Sequence, residues 1–330
     1  MTVMNVRRRS ISATAVTALA ALGAVALSSC SSSGASADDG GKGGKLDVVA
    51  SFYPMQFLAE QIGGDHVNVS TLTKPGVEPH DLEITPQQTG KLGEADFVLY
   101  LGGLQPAVDE AVKQSGVKTS VDAAEFTTLE KHGDEVGHDH GDEGEEAHDH
   151  GDEGDENGTD PHIWLDPVRY SQVAKGVGEK LAKADPDHAS DYRANTKKLT
   201  GKLASLNKEF KDGLSSTRTK TFITTHSAFG YLAERYGLEQ EGISGIDPES
   251  EPSPARMKQL QEIAKKDHVT TVFFEALASD KTAKTLARDT GLRTAVLDPM
   301  EGITSKSAGD DYLEVMRSNL TTLRKALGAK

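Results

Sequence analysis

Four residues that could bind a metal ion lie in loops that follow predicted strands. His80 lies in the loop after the second strand, and His162 in a proline-bounded loop after the last strand of the N-terminal half. His226 and Asp298 each directly follow a strand of the C-terminal half. Ligands of open parallel sheets bind beyond the carboxyl ends of the strands, so these side chains could meet in one cleft. Three imidazoles and a carboxylate form a closed tetrahedral set suited to zinc.

Other histidine patterns favour less specific interpretations. The chain has no His-Glu-x-x-His motif, so a zincin-type protease is not indicated. His66, His188 and His268 flank turns and helix ends without a carboxylate constellation, and we interpret them as surface or structural residues.

The fold class follows from the order of strands and helices. Strand patterns alternate with helical patterns over residues 46–121 and again over 221–298, which is typical of α/β domains with parallel sheets. Between the two halves, a helical pattern at 168–184 is followed by an almost uninterrupted one at 189–214. We interpret the long helix as a rigid strut between two lobes of similar architecture.

The N-terminus carries an export pattern. Three arginines precede an apolar stretch rich in alanine, and residues 1–29 are predicted to be a signal peptide. The alternative is an uncleaved N-terminal anchor helix. Cys30 is the only cysteine of the chain and lies where a bacterial lipoprotein signal places its lipidated residue. Any metal must therefore be held by nitrogen and oxygen ligands, and residues 30–45 read as a flexible tether.

Negative charge is concentrated in one segment. The formal charge of the chain is −15, and residues 130–160 hold fourteen acidic residues against one lysine. This balance argues against nucleic acid as a partner.

The predicted boundaries are an N-terminal lobe at 46–166, linking helices at 167–217 and a C-terminal lobe at 218–330.

Several motifs together resemble the metal-binding lipoproteins of ATP-binding cassette importers, the cluster that takes up zinc and manganese. The resemblance covers roughly residues 46–328 and rests on five motifs in the order of that family. They are Ser51-Phe52-Tyr53-Pro54, Gly76-Val77-Glu78-Pro79-His80-Asp81, Asp160-Pro161-His162-Ile163-Trp164-Leu165-Asp166-Pro167, Thr225-His226-Ser227-Ala228-Phe229-Gly230-Tyr231-Leu232 and Val296-Leu297-Asp298-Pro299.

The resemblance implies two (βα)₄-like lobes joined by one long helix, with the metal in the cleft between them. It implies His80, His162, His226 and Asp298 as ligands. Histidine at the third ligand position is typical of zinc-type members, whereas manganese-type members tend to carry glutamate there. Some zinc-type members fill the fourth place with water or with an acid beside the first histidine, so Glu78 is a rival to Asp298.

Zinc-type members often carry a segment rich in His, Asp and Glu just before the second ligand, and residues 131–160 match that description. His138, His140, His148 and His150 are candidates for weak, exchangeable zinc sites that collect metal for the cleft. The alternative is a solvated acidic loop without a required role. Its composition predicts disorder without metal in either case.

The sequence therefore predicts a non-enzymatic, monomeric lipoprotein on the outer face of the cytoplasmic membrane. It would capture Zn²⁺ and deliver it to the membrane permease of an ATP-binding cassette importer. Three alternatives stay open: a manganese or iron binder of the same transporter class, a zinc hydrolase with an open coordination position, and a second role as an adhesin or interaction lipoprotein.

Overall fold

Two four-stranded parallel sheets form the centre of the structure, a computed structural model that describes residues 44–133, 159–277 and 279–330. The predicted signal peptide, Cys30 and most of the tether lie outside the described residues, as do the four histidines from His138 to His150. In the part of the chain that is described, no helix is both long enough and apolar enough to cross a bilayer.

The first sheet has the strand order β2-β1-β3-β4. Its consecutive residues Val48, Val49 and Ala50 are all buried, because helices cover both faces of a parallel sheet. The elements of this half are β1 Leu46–Ala50, α1 Tyr53–Gly63, β2 Val67–Thr71, α2 Pro86–Glu94, β3 Phe97–Tyr100, α3 Pro106–Ser115 and β4 Ser120–Asp122.

The second sheet repeats the arrangement with the order β6-β5-β7-β8. The predicted α/β class with two parallel sheets is thereby confirmed. The elements of this half are β5 Thr221–Thr224, α6 Gly230–Tyr236, β6 Glu239–Gly242, α7 Pro254–Lys266, β7 Thr271–Phe274, α8 Lys281–Thr290, β8 Arg293–Val296 and α9 Tyr312–Leu327.

A helical hairpin joins the halves, formed by α4 Pro167–Ala184 and α5 Ala189–Leu214. The Asp166 carboxylate caps α4 by accepting the Val168 N–H at 2.8 Å, and Pro167 occupies the first turn. The 26 residues of α5 span about 39 Å, and this helix contacts α1 of the first half and both α6 and α9 of the second. One helix therefore braces both sheets.

The apolar core is continuous across the halves. Tyr170 donates a hydrogen bond to the Pro54 carbonyl, and Tyr312 donates one to the Trp164 carbonyl, each at 2.6 Å. Both rings pack against Phe57, so α1, α4 and α9 share one aromatic cluster. Residues 44–330 accordingly form one compact unit.

Close packing in the hairpin predicts unequal effects for two glycines. A Cβ on Gly178 would lie 2.1 Å from Oγ1 of Thr196 and 3.1 Å from Cβ of Thr196. Rotation of the threonine side chain does not move its Cβ, so it gives little relief. A Cβ on Gly201, also in the hairpin, meets nothing within 4 Å. We expect Gly178→Ala to lower the free energy of unfolding by about 1–3 kcal/mol, whereas Gly201→Ala should leave it unchanged or raise it by up to about 1 kcal/mol. Chemical denaturation of the metal-free protein measures both, and equal effects would contradict the packing argument.

Candidate metal centre

Four side chains from separate loops converge in the cleft at the carboxyl ends of the strands. Glu301 Oε1 lies 3.2 Å from His80 Nε2, 3.1 Å from His162 Nε2 and 3.4 Å from His226 Nε2. The Nε2 atoms of His162 and His226 are 3.4 Å apart. His162 and His226 are fully buried, and His80 is the most accessible of the four. This group is one of two potential metal sites in the described part of the chain, and it is the more deeply buried of the two.

The spacing of these atoms fits a tetrahedral zinc ion. Zinc–nitrogen and zinc–carboxylate bonds of about 2.0–2.1 Å place the ligand atoms of a tetrahedron about 3.3–3.4 Å apart. Four of the six separations between the ligand atoms run from 3.1 to 3.4 Å, and all six are within 4.8 Å. An ion could therefore enter the centre of the group with small movements of the four side chains.

Two buried carboxylates orient two of the imidazoles. Asp160 Oδ1 lies 2.7 Å from His162 Nδ1, and Glu275 Oε1 lies 2.7 Å from His226 Nδ1. A carboxylate only accepts hydrogen bonds, so each of these Nδ1 atoms carries a proton, and Nε2 is the nitrogen that faces the centre and could bind metal. Such partners fix ring orientation and raise ligand basicity in metal sites.

Local backbone structure positions two of the candidate ligands, His226 and His80. The His226 carbonyl accepts hydrogen bonds from Thr224 Oγ1 at 2.6 Å and Gln240 Nε2 at 3.0 Å, which fixes the end of β5. The Pro79 carbonyl accepts one from Gln105 Nε2 at 3.1 Å, which holds the loop before His80.

Asp298, the predicted fourth ligand, does not belong to the convergent group, and Glu301 takes that place. The Asp298 carboxylate instead accepts the Met300 N–H at 2.8 Å, and the Asp298 backbone pairs with the Asn319 amide. Met300 adopts a left-handed φ of 57°, a sparsely populated conformation for a side-chain-bearing residue. Asp298 thus stabilises a tight turn, and that turn brings Glu301 to the histidines.

Glu78, the predicted rival, also lies outside the convergent group. Its carboxylate accepts the His80 N–H at 3.3 Å and so supports the loop of the first histidine. Burial, together with the nearby Glu301 charge, raises the pKa of Glu78 to about 9. A carboxyl group that is protonated at neutral pH is a poor metal ligand.

Sequence reasoning missed Glu301 because it took the carboxylate that directly follows the last strand, Asp298. Glu301 lies three residues beyond Asp298 in the same loop, so the signal was a second carboxylate near the same strand. Its distance from the strand gave no indication that the turn would reverse direction at Met300. Asp160 also differs from expectation. It is the last residue of the segment that was predicted to be disordered, yet it is fully buried and part of the centre.

Charge within the group is balanced internally. Burial opposes the protonated form of His226, but Glu275 and Glu301 outweigh it and raise the pKa of His226 well above its usual range. Burial likewise opposes protonation of His162, yet Asp160 and Glu301 leave its pKa raised. Burial alone would raise the pKa of Glu301, but hydrogen bonds from the three imidazoles hold it well below its usual range.

Comparison with known proteins gives a consistent result. A family model described as "Zinc-uptake complex component A periplasmic" matches residues 48–326. The zinc-binding lipoprotein AdcA of Streptococcus pneumoniae is 36% identical over 288 residues, covering 85% of this chain and 56% of the relative. The high-affinity zinc uptake system protein ZnuA of Bacillus subtilis is 38% identical over 289 residues, covering 87% and 89%. The chain thus spans about half the length of AdcA and most of ZnuA.

A solved structure supports the same relationship. The Zn(II)-bound ZnuA-like domain of Streptococcus pneumoniae AdcA superposes with a TM-score of 0.70 at 33% identity. The match covers 86% of this chain and 99% of that domain. At this identity the likeness extends beyond fold class to the family.

The raised histidine pKa values predict proton release on metal binding. The raised pKa values of His162 and His226 favour a second proton on these imidazoles in the metal-free protein, which zinc must displace from Nε2. We expect at least one proton to be released per zinc at pH 7, and an affinity that increases as the pH rises towards the histidine pKa values. Calorimetric titration in buffers of different ionisation enthalpy measures this number. Release of fewer than one proton would show that the imidazoles are already neutral.

Proposed function

This chain belongs to the family of periplasmic component A proteins of zinc-uptake complexes, and from that premise we propose that it captures Zn²⁺ outside the cytoplasmic membrane for import. The ion is then delivered to the membrane permease of an ATP-binding cassette importer. Zinc is cargo in this role, so binding must be tight enough for capture and reversible enough for release.

The convergence of three imidazole nitrogens and one carboxylate oxygen supports this function more than any other observation. We assign His80, His162, His226 and Glu301 as the ligands. The first two come from the N-terminal half, and the last two from the C-terminal half. A ligand set divided in this way allows relative movement of the loops to weaken the site at release.

Zinc is favoured over manganese by the donor atoms. Imidazole suits zinc, whereas manganese prefers sets dominated by oxygen. Three of the four proposed ligands are imidazoles, and only Glu301 supplies oxygen. The manganese alternative requires a harder set than this one, and the match to the zinc-uptake family favours zinc over iron.

Transport is favoured over hydrolysis by the completeness of the set. A hydrolytic zinc site has three protein ligands and an open position for water, with a base nearby. Four proposed protein ligands leave no such position. Glu275, the other acid at the centre, is held by His226 Nδ1 and Thr225 Oγ1, which favours an orienting role over that of a free base.

We propose that a lipid on Cys30 anchors the mature protein to the outer face of the membrane, and that it acts as a monomer. The signal-like residues 1–29 and the similarity to AdcA of Streptococcus pneumoniae, a zinc-binding lipoprotein, support the anchoring. Residues 30–45 then act as the tether that lets the folded part reach the permease.

Two carboxylate substitutions distinguish Glu301 from Asp298 as the fourth ligand. We expect Glu301→Gln to weaken zinc binding by about 100-fold or more, because it removes a charged ligand. Asp298→Asn should weaken it by less than about tenfold, because the amide oxygen still accepts the Met300 N–H. His226→Ala should abolish the tight site. Competition titration with a chromophoric chelator measures all three, and a larger loss in Asp298→Asn would overturn the assignment.

Metal selectivity and the acidic segment are tested together. We expect the mature protein, purified without a metal column, to retain zinc in preference to manganese. Deletion of residues 134–158 should remove weak extra sites and leave the tight one, because it spares Asp160, which orients His162. Preferential retention of manganese, or loss of tight binding in the deletion, would contradict the proposal.

A further inference from the structure

A second group of potential ligands lies beside the centre, where the chain enters and leaves the acidic segment. It consists of Glu130, His132 and Glu234, whose ligand atoms all lie within 4.8 Å of one another. His132 Nε2 is 3.8 Å from Glu234 Oε2. The side chains of Glu130 and Glu234 are 38% and 53% exposed, so an ion in solvent can reach this group directly.

His132 is oriented in the same way as two histidines of the centre. Its Nδ1 lies 2.8 Å from Asp160 Oδ2, and the other oxygen of that buried carboxylate holds His162 Nδ1. Since Asp160 accepts the Nδ1 proton, Nε2 of His132 is free and directed towards Glu234. The imidazole is therefore presented as a metal ligand is.

Packing keeps His132 in this position. Its ring meets the Tyr231 ring edge-on at a centroid distance of 4.5 Å. A Cβ on Gly230 would lie only 2.5 Å from Cγ of His132, so only glycine allows the ring to approach α6 this closely. The Tyr231 hydroxyl also accepts the Glu130 N–H at 2.8 Å and donates to the Asp160 carbonyl at 2.7 Å. The group is preorganised on a helix and two adjoining backbone segments.

Charge at the group suits an exchangeable cation. Arg169 pairs closely with Glu130 and lies 3.7 Å from Glu234, so a guanidinium already neutralises part of the charge. The two carboxylates of Glu130 and Glu234 still outnumber that single cation. A metal ion must compete with Arg169 and would keep at least one coordination position for water. Both features lower affinity relative to the buried centre.

We propose that Glu130, His132 and Glu234 form a second, weaker Zn²⁺ site on the surface, linked to the buried centre through the shared Asp160 carboxylate. The proposal rests on the proposed function in taking zinc as the cation. An ion at this site lies one carboxylate away from His162, on the side where the acidic segment joins the fold. The site is an intermediate holding position between solvent and the centre.

The test uses the whole mature chain in which His138, His140, His148 and His150 are changed to alanine, so that these imidazoles cannot compete. Titration with zinc against a weak chromophoric chelator should show two equivalents, one tight and one weak. Glu234→Gln in this background should weaken the second equivalent by at least about tenfold and leave the first unchanged. Glu262→Gln, an exposed glutamate of α7, is the matched control and should change neither.

Two outcomes overturn the surface site, the absence of a second equivalent in the parent and a second equivalent that Glu234→Gln does not weaken. Anomalous diffraction at the zinc edge locates the ion independently, with the expected peak within bonding distance of His132 Nε2. A crystal with a peak only at the centre also overturns it. Absence of the tight first equivalent of zinc, by contrast, would contradict the proposed function. The surface site would then be judged on the weak second equivalent alone.

Discussion

The Glu301 carboxylate, buried among three imidazoles, is the interaction on which the cleft depends. A lone buried charge is costly, and none of these side chains is compatible with burial by itself. The raised pKa values of His162 and His226 favour protonated imidazoles in the metal-free protein, which offset the charge of Glu301 and are offset in turn by Asp160 and Glu275. Zinc replaces protons in this arrangement, so binding exchanges one set of positive charges for another.

The scaffold explains how the histidine side chains can be held in fixed positions while the ligand loops are able to move. Each histidine is held by hydrogen bonds from its own half of the chain, whereas the ligand set closes only when the two halves meet. The hairpin of α4 and α5 and the shared aromatic cluster fix the sheets against each other. A large rotation of the lobes would break that core, so the loops carrying His80 and Glu301 are the parts best able to move.

Most of the fold was predictable because its signals are local. Alternating strand and helix patterns predicted the strands and α-helices that the structure describes in both halves, and the helical pattern at 189–214 corresponds to α5. The three histidines were found because the carboxyl ends of parallel strands meet at one edge. The family resemblance drawn from the motifs is confirmed.

The fourth carboxylate was not predictable in the same way. The choice between Asp298 and Glu301 as the residue that faces the histidines depends on a turn in which Met300 has a left-handed backbone conformation. Methionine rarely adopts this conformation, so the sequence does not predict it. Tertiary contacts select that turn, among them the Asn319 amide and the Trp164 indole, which donates to the Pro299 carbonyl at 2.7 Å. The orienting role of Asp160 likewise depended on contacts between distant segments.

The backbone pairing beside the acidic segment has a consequence for how this protein can change. The Asp160 N–H donates to the Glu130 carbonyl at 2.8 Å, so a backbone hydrogen bond holds the two ends of the acidic segment together. For a flexible loop, doubling the length costs only about 0.6 kcal/mol in closure entropy. The number of histidines in the acidic segment can therefore increase or decrease over evolution with little effect on the cleft. Metal supply and metal selectivity are separable traits in this architecture.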